Sequence, residues 1–270
     1  MAGEHGSLEH GGADYTLHYF PFSLYSIMAR FALKLGRQLN SDNAPRVELK
    51  FVNLHVHDNL SEEYLTTVNS RGQVPSLTSP LLPAALGDSQ KIAEWLCEKQ
   101  PELVPAAHKI VIERLMEKLY SFHFKALNIP PEAAANGIPN VAAAMLERGN
   151  ITEKHRRALE IKSVLTIETE HISQVEAHVT EFMEELGGII GQHKSVGSRW
   201  IFGQQPTILD GYAAALGIRL LDNKRLELLP LSVQEYAIAV QQSEEWKSVT
   251  HGRSTVYSTS MGPAAGLDPK

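Results

Sequence analysis

A proline at the entrance of an apolar segment is the feature that most constrains how this chain can fold. Pro75 stands near the end of the segment Asn69 to Leu77, which reads NSRGQVPSL. Because proline has no backbone N–H to donate to a sheet ladder, Pro75 is expected at the start or the edge of a strand. A cis Val74–Pro75 bond would turn the backbone N–H and C=O of Val74 outward, where an extended peptide can pair with them like an added strand.

A helix start follows this turn. Asp88 and Ser89 open an amphipathic run that reaches Cys97. A helix N-terminus here offers free N–H groups, the Ser89 hydroxyl and the positive end of the helix dipole to a carboxylate, while Asp88 can accept from an α-amino group. Either feature alone is as well explained by a proline turn or an ordinary helix cap. Together they predict a site for glutathione, a short peptide with a free amino-acid end, whose middle Gln73 would reach.

The segment Tyr15 to Glu98 resembles the thioredoxin-like N-terminal domain of glutathione transferases, in which a Gln/Lys-Val-Pro turn and a Glu/Asp-Ser pair hold glutathione. Residues 108 to about 250 resemble the all-helical second domain of that family. The resemblance implies an α/β thioredoxin-like N-terminal domain followed by an all-α helical-bundle C-terminal domain. It also implies a set of glutathione-binding residues, namely Gln73, Val74, Pro75, Asp88 and Ser89.

The order of secondary-structure signals agrees with two domains. Strand signals at Tyr15 to Phe20 and Val47 to Phe51 flank a helix that we expect to end at Gly36, and strand patterns disappear after two prolines at 101 and 105. Both ends of the chain have few apolar residues to bury. We therefore predict a flexible arm, a glutathione-binding domain, a linker, a helical domain and a flexible tail, at residues 1–14, 15–99, 100–107, 108–250 and 251–270.

A capping box is predicted in the second domain. Thr207 and Asp210 are three residues apart and precede an apolar run, the spacing at which both side chains satisfy N–H groups at a helix start. The pattern resembles the buried capping box of glutathione transferases, so its expected role is structural.

Three hydroxyl groups are candidates for activating the glutathione thiol. In the resembling family a Tyr, Ser or Cys after the first strand stabilises the thiolate, and aligning Pro21 places Ser23 at or next to the serine of the serine-type classes. Ser23 is equally well placed to cap the helix that follows, which would use its oxygen as an acceptor. Tyr25 and Ser26 are the alternatives.

Other side chains complete the predicted site. His57, or its neighbour His55, follows the second strand and is expected to contact the glycine carboxylate of glutathione. No third ligand with matching spacing accompanies this pair, so we predict no metal site. Tyr120 and His123 combine aromatic area with polar tips and are the predicted walls of an acceptor pocket.

Composition narrows the function further. The net charge of −6, without a basic stripe, argues against nucleic acid, and no apolar run is long enough to span a membrane. We expect a cytoplasmic, homodimeric glutathione transferase that uses the glutathione thiol to attack a small, apolar electrophile, in detoxification or small-molecule biosynthesis. A glutathione-dependent isomerase or lyase acting on an activated double bond, and a non-catalytic binding module on the same fold, are the alternatives.

Overall fold

The structure, a computed structural model, describes residues 12–121, 124, 140–148, 150–164, 172–195 and 197–267. Its N-terminal part contains three strands and two helices that form a small α/β domain, as the sequence predicts. Within these residues the sheet has the order β2-β1-β3, with β1 parallel to β2 and antiparallel to β3. The elements are β1 (Tyr15–Tyr19), α1 (Leu24–Leu39), β2 (Val47–Phe51), β3 (Ser76–Thr78) and α2 (Ser89–Lys99).

The central strand β1 is covered on both faces. Leu17 is fully buried in the main core together with apolar residues of α1. On the opposite face the ring of His18 lies 5.9 Å from that of Tyr64. Because successive side chains of a strand alternate between its faces, β1 separates the helix-packed core from the segment that leads to Pro75.

One local prediction in this domain needs correction. Helix α1 continues through Gly36 to Leu39 and is capped by Asn40; the glycine instead makes room for Gln100, whose side-chain oxygen lies 2.1 Å from where a Cβ on Gly36 would stand. The segment Tyr64–Val68 forms a π-helical turn. One antiparallel bridge connects Leu77 of β3 with Leu86.

The described residues of the second part of the chain form helices and connecting loops, with one β-bridge between Trp200 and Gly203. Two helices follow Thr152, and the second of them ends at His193. No helix among the described residues is both long and apolar enough to cross a membrane. The helices are α3 (Lys109–Tyr120), α4 (Val141–Leu146), α5 (Glu153–Ser163), α6 (Ile172–His193), α7 (Ile208–Asp222), α8 (Leu231–Gln241) and α9 (Glu244–Thr250).

Helix α7 joins the two parts of the molecule. It is buried from Ile208 to Leu220 and packs directly on α1. A Cβ on Gly211 would lie 2.8 Å from that of Ala32 on α1, so the absence of a side chain allows this close approach. The start of α1 and the start of α2, where the predicted ligand-binding residues lie, are therefore held against one rigid helix.

The predicted capping box is present at the start of α7. The carboxylate of Asp210 is fully buried and accepts from the N–H and hydroxyl of Thr207, from the N–H of Ile201 and from the hydroxyl of Tyr236, at 2.8–2.9 Å. Burial raises the pKa of Asp210 and these four donors lower it. Asp210 thus ties α7 both to the preceding loop and to α8.

Part of the segment 251–270, predicted to be a flexible tail, packs against the rest of the chain. Thr255 is 1 % exposed, and Ala264 is buried in an apolar cluster with Phe22 of the first domain. The prediction rested on the small number of apolar residues at this end, whereas the segment is held by a few separate anchors. Residues 1–11, which make up most of the predicted N-terminal arm, lie outside the described residues.

Candidate functional site

The turn before β3 has the expected geometry. The Val74–Pro75 bond is cis, and within the described residues neither the backbone N–H nor the C=O of Val74 has a hydrogen-bond partner. The side chain of Gln73 is exposed, while its C=O accepts from the hydroxyl of Tyr64 at 2.7 Å. Val74 therefore keeps both backbone groups free for an extended peptide.

The start of α2 presents a second set of free groups. Asp88 is the N-cap residue, and its Oδ1 accepts from the N–H of Gln90 at 2.8 Å. Ser89, the first residue of the helix, has neither its N–H nor its hydroxyl bonded to another described residue. The hydroxyl of Tyr212 on α7 donates to the Ser89 C=O at 2.8 Å. The helical domain thus fixes a helix end that can accept a carboxylate.

Asn69 connects these two sets of groups, and no local sequence pattern indicates this role. Its buried Nδ2 donates to the C=O of Gln73 (3.1 Å), the hydroxyl of Ser76 (3.0 Å) and the C=O of Gly87 (2.9 Å). Its Oδ1 accepts from the N–H of Arg71. A Cβ on Gly87 would lie 2.9 Å from Nδ2, so glycine leaves space for this contact. Asn69 therefore sets the position of the Val74 turn relative to the Ser89 helix start.

Ser23 caps α1, which was the competing explanation of this residue. Its Oγ accepts from the N–H of Ser26 at 3.4 Å. Accepting a bond leaves the hydroxyl hydrogen of Ser23 available, so a capping serine can still donate to an anion. Ser26 is fully buried and its own Oγ accepts from the N–H of Phe20. Of the two serines, half-buried Ser23 is the one within reach of a ligand.

Tyr25 lies deeper, between the domains. Its ring packs 5.9 Å from that of Phe124, and its hydroxyl oxygen accepts from the Phe124 N–H at 3.3 Å. Burial raises the pKa of Tyr25 to about 12, and the nearby carboxylate of Asp88 raises it as well. The Tyr25 hydroxyl therefore stays protonated at neutral pH and remains a donor.

An apolar cluster brings the Ser23 loop and the Val74 turn together. Phe20 and Phe22 of the loop pack with Val52, Tyr64 and Val74, and the cluster also includes Ala264 of the C-terminal segment. Because Ser23 directly follows Phe22, this cluster brings the Ser23 loop beside the Val74 turn.

The two histidines after β2 have different surroundings. The ring of His55 lies 5.1 Å from Phe20 and 4.4 Å from Tyr257. His57 is exposed, with a positive φ of 64°. His55 is thus the one that lies against the Ser23 loop. Among the described residues no group of three or more His, Cys, Asp or Glu side chains is arranged to hold a metal ion.

The predicted acceptor-pocket residues are less well supported. The hydroxyl of Tyr120 is buried, and its ring lies 5.8 Å from that of Tyr212 at the domain interface. Burial beside Tyr212 raises the pKa of Tyr120 far above its ordinary value. This interior position does not favour a pocket wall, and His123 lies outside the described residues. Burial, helped by nearby glutamates, raises the pKa of the Cys97 thiol to about 12, so it stays protonated at neutral pH.

Comparisons with known proteins agree with this geometry. Residues 17–103 match the family described as glutathione S-transferase, N-terminal domain. The chain has no significant match among curated proteins.

Similar solved structures include a glutathione transferase from Populus trichocarpa (14% identity, TM-score 0.58, covering 88% of this chain and 98% of that one). Beta-etherase LigF from a Sphingobium species has 14% identity and a TM-score of 0.60, with 89% and 100% covered. A glutathione transferase family member from Pseudomonas fluorescens, solved with two glutathione molecules bound, has 17% identity and a TM-score of 0.53, with 87% and 92% covered. At these identities the likeness shows the fold.

Proposed function

We propose that this chain, whose residues 17–103 match the N-terminal domain of glutathione S-transferases, is a member of that family that binds glutathione and activates its thiol. The γ-glutamyl carboxylate binds at Ser89, the cysteinyl backbone pairs with Val74, and the sulfur lies at Ser23. The class within the family is not assigned.

The observation that carries the proposal is that three sets of hydrogen-bonding groups have no partner among the described residues. These are the backbone groups of Val74, the N–H and hydroxyl of Ser89 at the start of α2, and the hydroxyl hydrogen of half-buried Ser23. Glutathione, with a γ-glutamyl carboxylate at one end and a central thiol, has a group for each of them. We assign the exposed Gln73 side chain to the peptide amide and the second oxygen of Asp88 to the α-amino group.

Thiol activation is the step that needs a protein. A free thiol with a pKa of about 8.5 is only a few per cent ionised at neutral pH. Lowering this pKa by two units corresponds to about 2.7 kcal/mol, within reach of one hydroxyl donor combined with a helix N-terminus. Ser23 supplies both, because its hydroxyl is a donor and because, as the N-cap residue, it lies at the N-terminus of α1. The thiolate then attacks a small electrophilic acceptor, for which we propose an apolar compound.

Titration of the bound thiol tests this mechanism. The absorbance of the thiolate is followed against pH in the glutathione complex of the parent and of Ser23→Ala. We expect the alanine variant to raise the thiol pKa by about one to two units while glutathione affinity stays nearly unchanged. Tyr25→Phe is the matched control because it also removes a single hydroxyl.

Each contrary outcome has a defined meaning. If Tyr25→Phe changes the thiol pKa of bound glutathione and Ser23→Ala does not, the donor is Tyr25. A bound thiol that titrates like free glutathione in the parent would contradict activation and favour a non-catalytic binding module. Product analysis separates conjugation from the reversible addition that an isomerase or lyase would carry out. Homodimer formation and a cytoplasmic location remain part of the proposal.

A further inference from the structure

The C-terminal segment is anchored to the end of α7 through Thr255. The N–H and the hydroxyl of Thr255 both donate to Oδ2 of Asp222, each at 2.6 Å. Nε of Arg219 donates to the same hydroxyl oxygen at 3.0 Å. Thr255 is thus held from two sides by side chains one helical turn apart on α7.

Arg219 extends this anchor to the loop that precedes Ser23. Its Nη2 donates to the C=O of Phe22 at 2.8 Å and to the C=O of Thr255 at 2.7 Å. The guanidinium is 6 % exposed, and a buried cation is stabilised only when it is well hydrogen-bonded. Since the carbonyl of Phe22 belongs to the peptide bond that continues into Ser23, the Arg219 guanidinium restrains the residue that caps α1.

Tyr257 holds the same loop from outside. Its ring lies 5.3 Å from that of Phe22 and 4.4 Å from that of His55, both nearly edge to face. Its hydroxyl donates to the C=O of Gly262 at 2.9 Å, which folds the segment back so that Ala264 reaches the apolar cluster around Phe22.

We infer that Thr255 and Tyr257 are positioning residues of the thiol site, acting through Arg219 and Phe22 to hold Ser23 in its donating orientation. The inference rests on the proposed function. Activation by one hydroxyl donor depends on its placement, because a hydrogen bond weakens steeply when its length or angle departs from the optimum. If the Ser23 loop lost this support, the protein would still bind the peptide backbone of glutathione, because Val74 and Ser89 lie on other segments.

Thr255→Val is the decisive variant because it removes the hydroxyl and keeps the shape of the side chain. We expect the thiol pKa of bound glutathione to rise by about one unit, a tenfold loss of thiolate at a pH below both values. The dissociation constant of glutathione, measured by calorimetry at a pH below both pKa values, should change less than about threefold, a free energy of under about 0.7 kcal/mol. Thr255→Ser should restore the parent titration. Thr180→Val, on α6, removes a hydroxyl that bonds within its own helix and should leave the titration unchanged.

The outcomes separate the inference from the function on which it rests. A parent whose bound thiol titrates like free glutathione refutes the proposed function itself. A parent that lowers the thiol pKa, with Thr255→Val titrating identically, overturns the inference alone. If glutathione instead binds more tightly to Thr255→Val, the segment covers the site and the inference is wrong.

If Thr255→Val fails to fold, the same titration on Tyr257→Ala and Tyr257→Phe tests the inference. Phenylalanine keeps the ring on Phe22 and should behave like the parent, whereas alanine should raise the thiol pKa. Equal titrations for these two variants would also overturn the inference.

Discussion

Acid should destabilise this protein through His18 in the central strand. The ring is 4 % exposed, and its Nε2 lies 3.0 Å from the hydroxyl oxygen of Thr78. Burial, followed by the positive charge of Lys50, lowers the pKa of His18 from 6.5 to about 4, against the weaker opposing effect of Glu48 and Glu63. The native state therefore keeps His18 neutral over a range in which the unfolded chain binds a proton.

The sign and size of the effect follow from linkage. Where the unfolded state binds more protons, the free energy of unfolding falls as the pH falls. With pKa values of 6.5 unfolded and about 4 folded, the loss begins near pH 6.5 and is complete below about pH 4. It amounts to about 1.4 kcal/mol at about pH 5.5 and about 2.5 kcal/mol at about pH 4.5.

Urea unfolding at several pH values measures this loss in the parent and in His18→Gln. Glutamine places an amide nitrogen near the position of Nε2 and does not titrate. The difference in the free energy of unfolding between the parent and His18→Gln should therefore shrink or reverse as the pH falls, by the amounts given. Thr78→Val is the matched control; it removes the hydrogen-bond partner and should lower stability while leaving the pH dependence in place, because burial is the main cause. A parent and a His18→Gln variant with parallel pH profiles would refute the reasoning.

Three further predictions concern single side chains. Ser89→Ala should weaken retention on immobilised glutathione by about 1–3 kcal/mol through loss of a charge-assisted hydrogen bond; unchanged affinity with an intact fold would remove Ser89 from the site. Asp210→Ala should lower the free energy of unfolding by at least about 1–3 kcal/mol, because four donors lose their acceptor in the core, and a melting temperature equal to the parent's would contradict this. Asn69→Ala should lower both stability and glutathione affinity, since the Gln73 and Gly87 carbonyls lose their shared donor; an affinity unchanged in calorimetry would reject Asn69 as the connection between the two halves of the site.

Features that depend on neighbouring residues were predictable from the sequence. The turn at Pro75, the helix start at Asp88 and the capping box at Thr207 each follow from chemistry within a few positions, and the structure contains all three. The division into an α/β part and a helical part was predictable because hydrophobic periodicity changes near Gln100.

Features that depend on residues distant in the chain were not predictable from the sequence. Gly36 has the local appearance of a helix end, and only the position of Gln100 explains it. Asn69 and Thr255 act through hydrogen bonds to segments that no periodicity relates to them. The packing of the C-terminal segment was not predictable for the same reason, because one threonine and one tyrosine anchor it without any repeating apolar pattern.

The bond between Arg219 and the Phe22 carbonyl joins residues 197 positions apart. Contacts of such sequence separation require closure of a long loop, so they are expected to form late in folding. During refolding, helical content should recover before the Ser23 loop acquires its support. The ability to ionise glutathione would then mark the final docking of the two domains, and an isolated N-terminal domain would lack it.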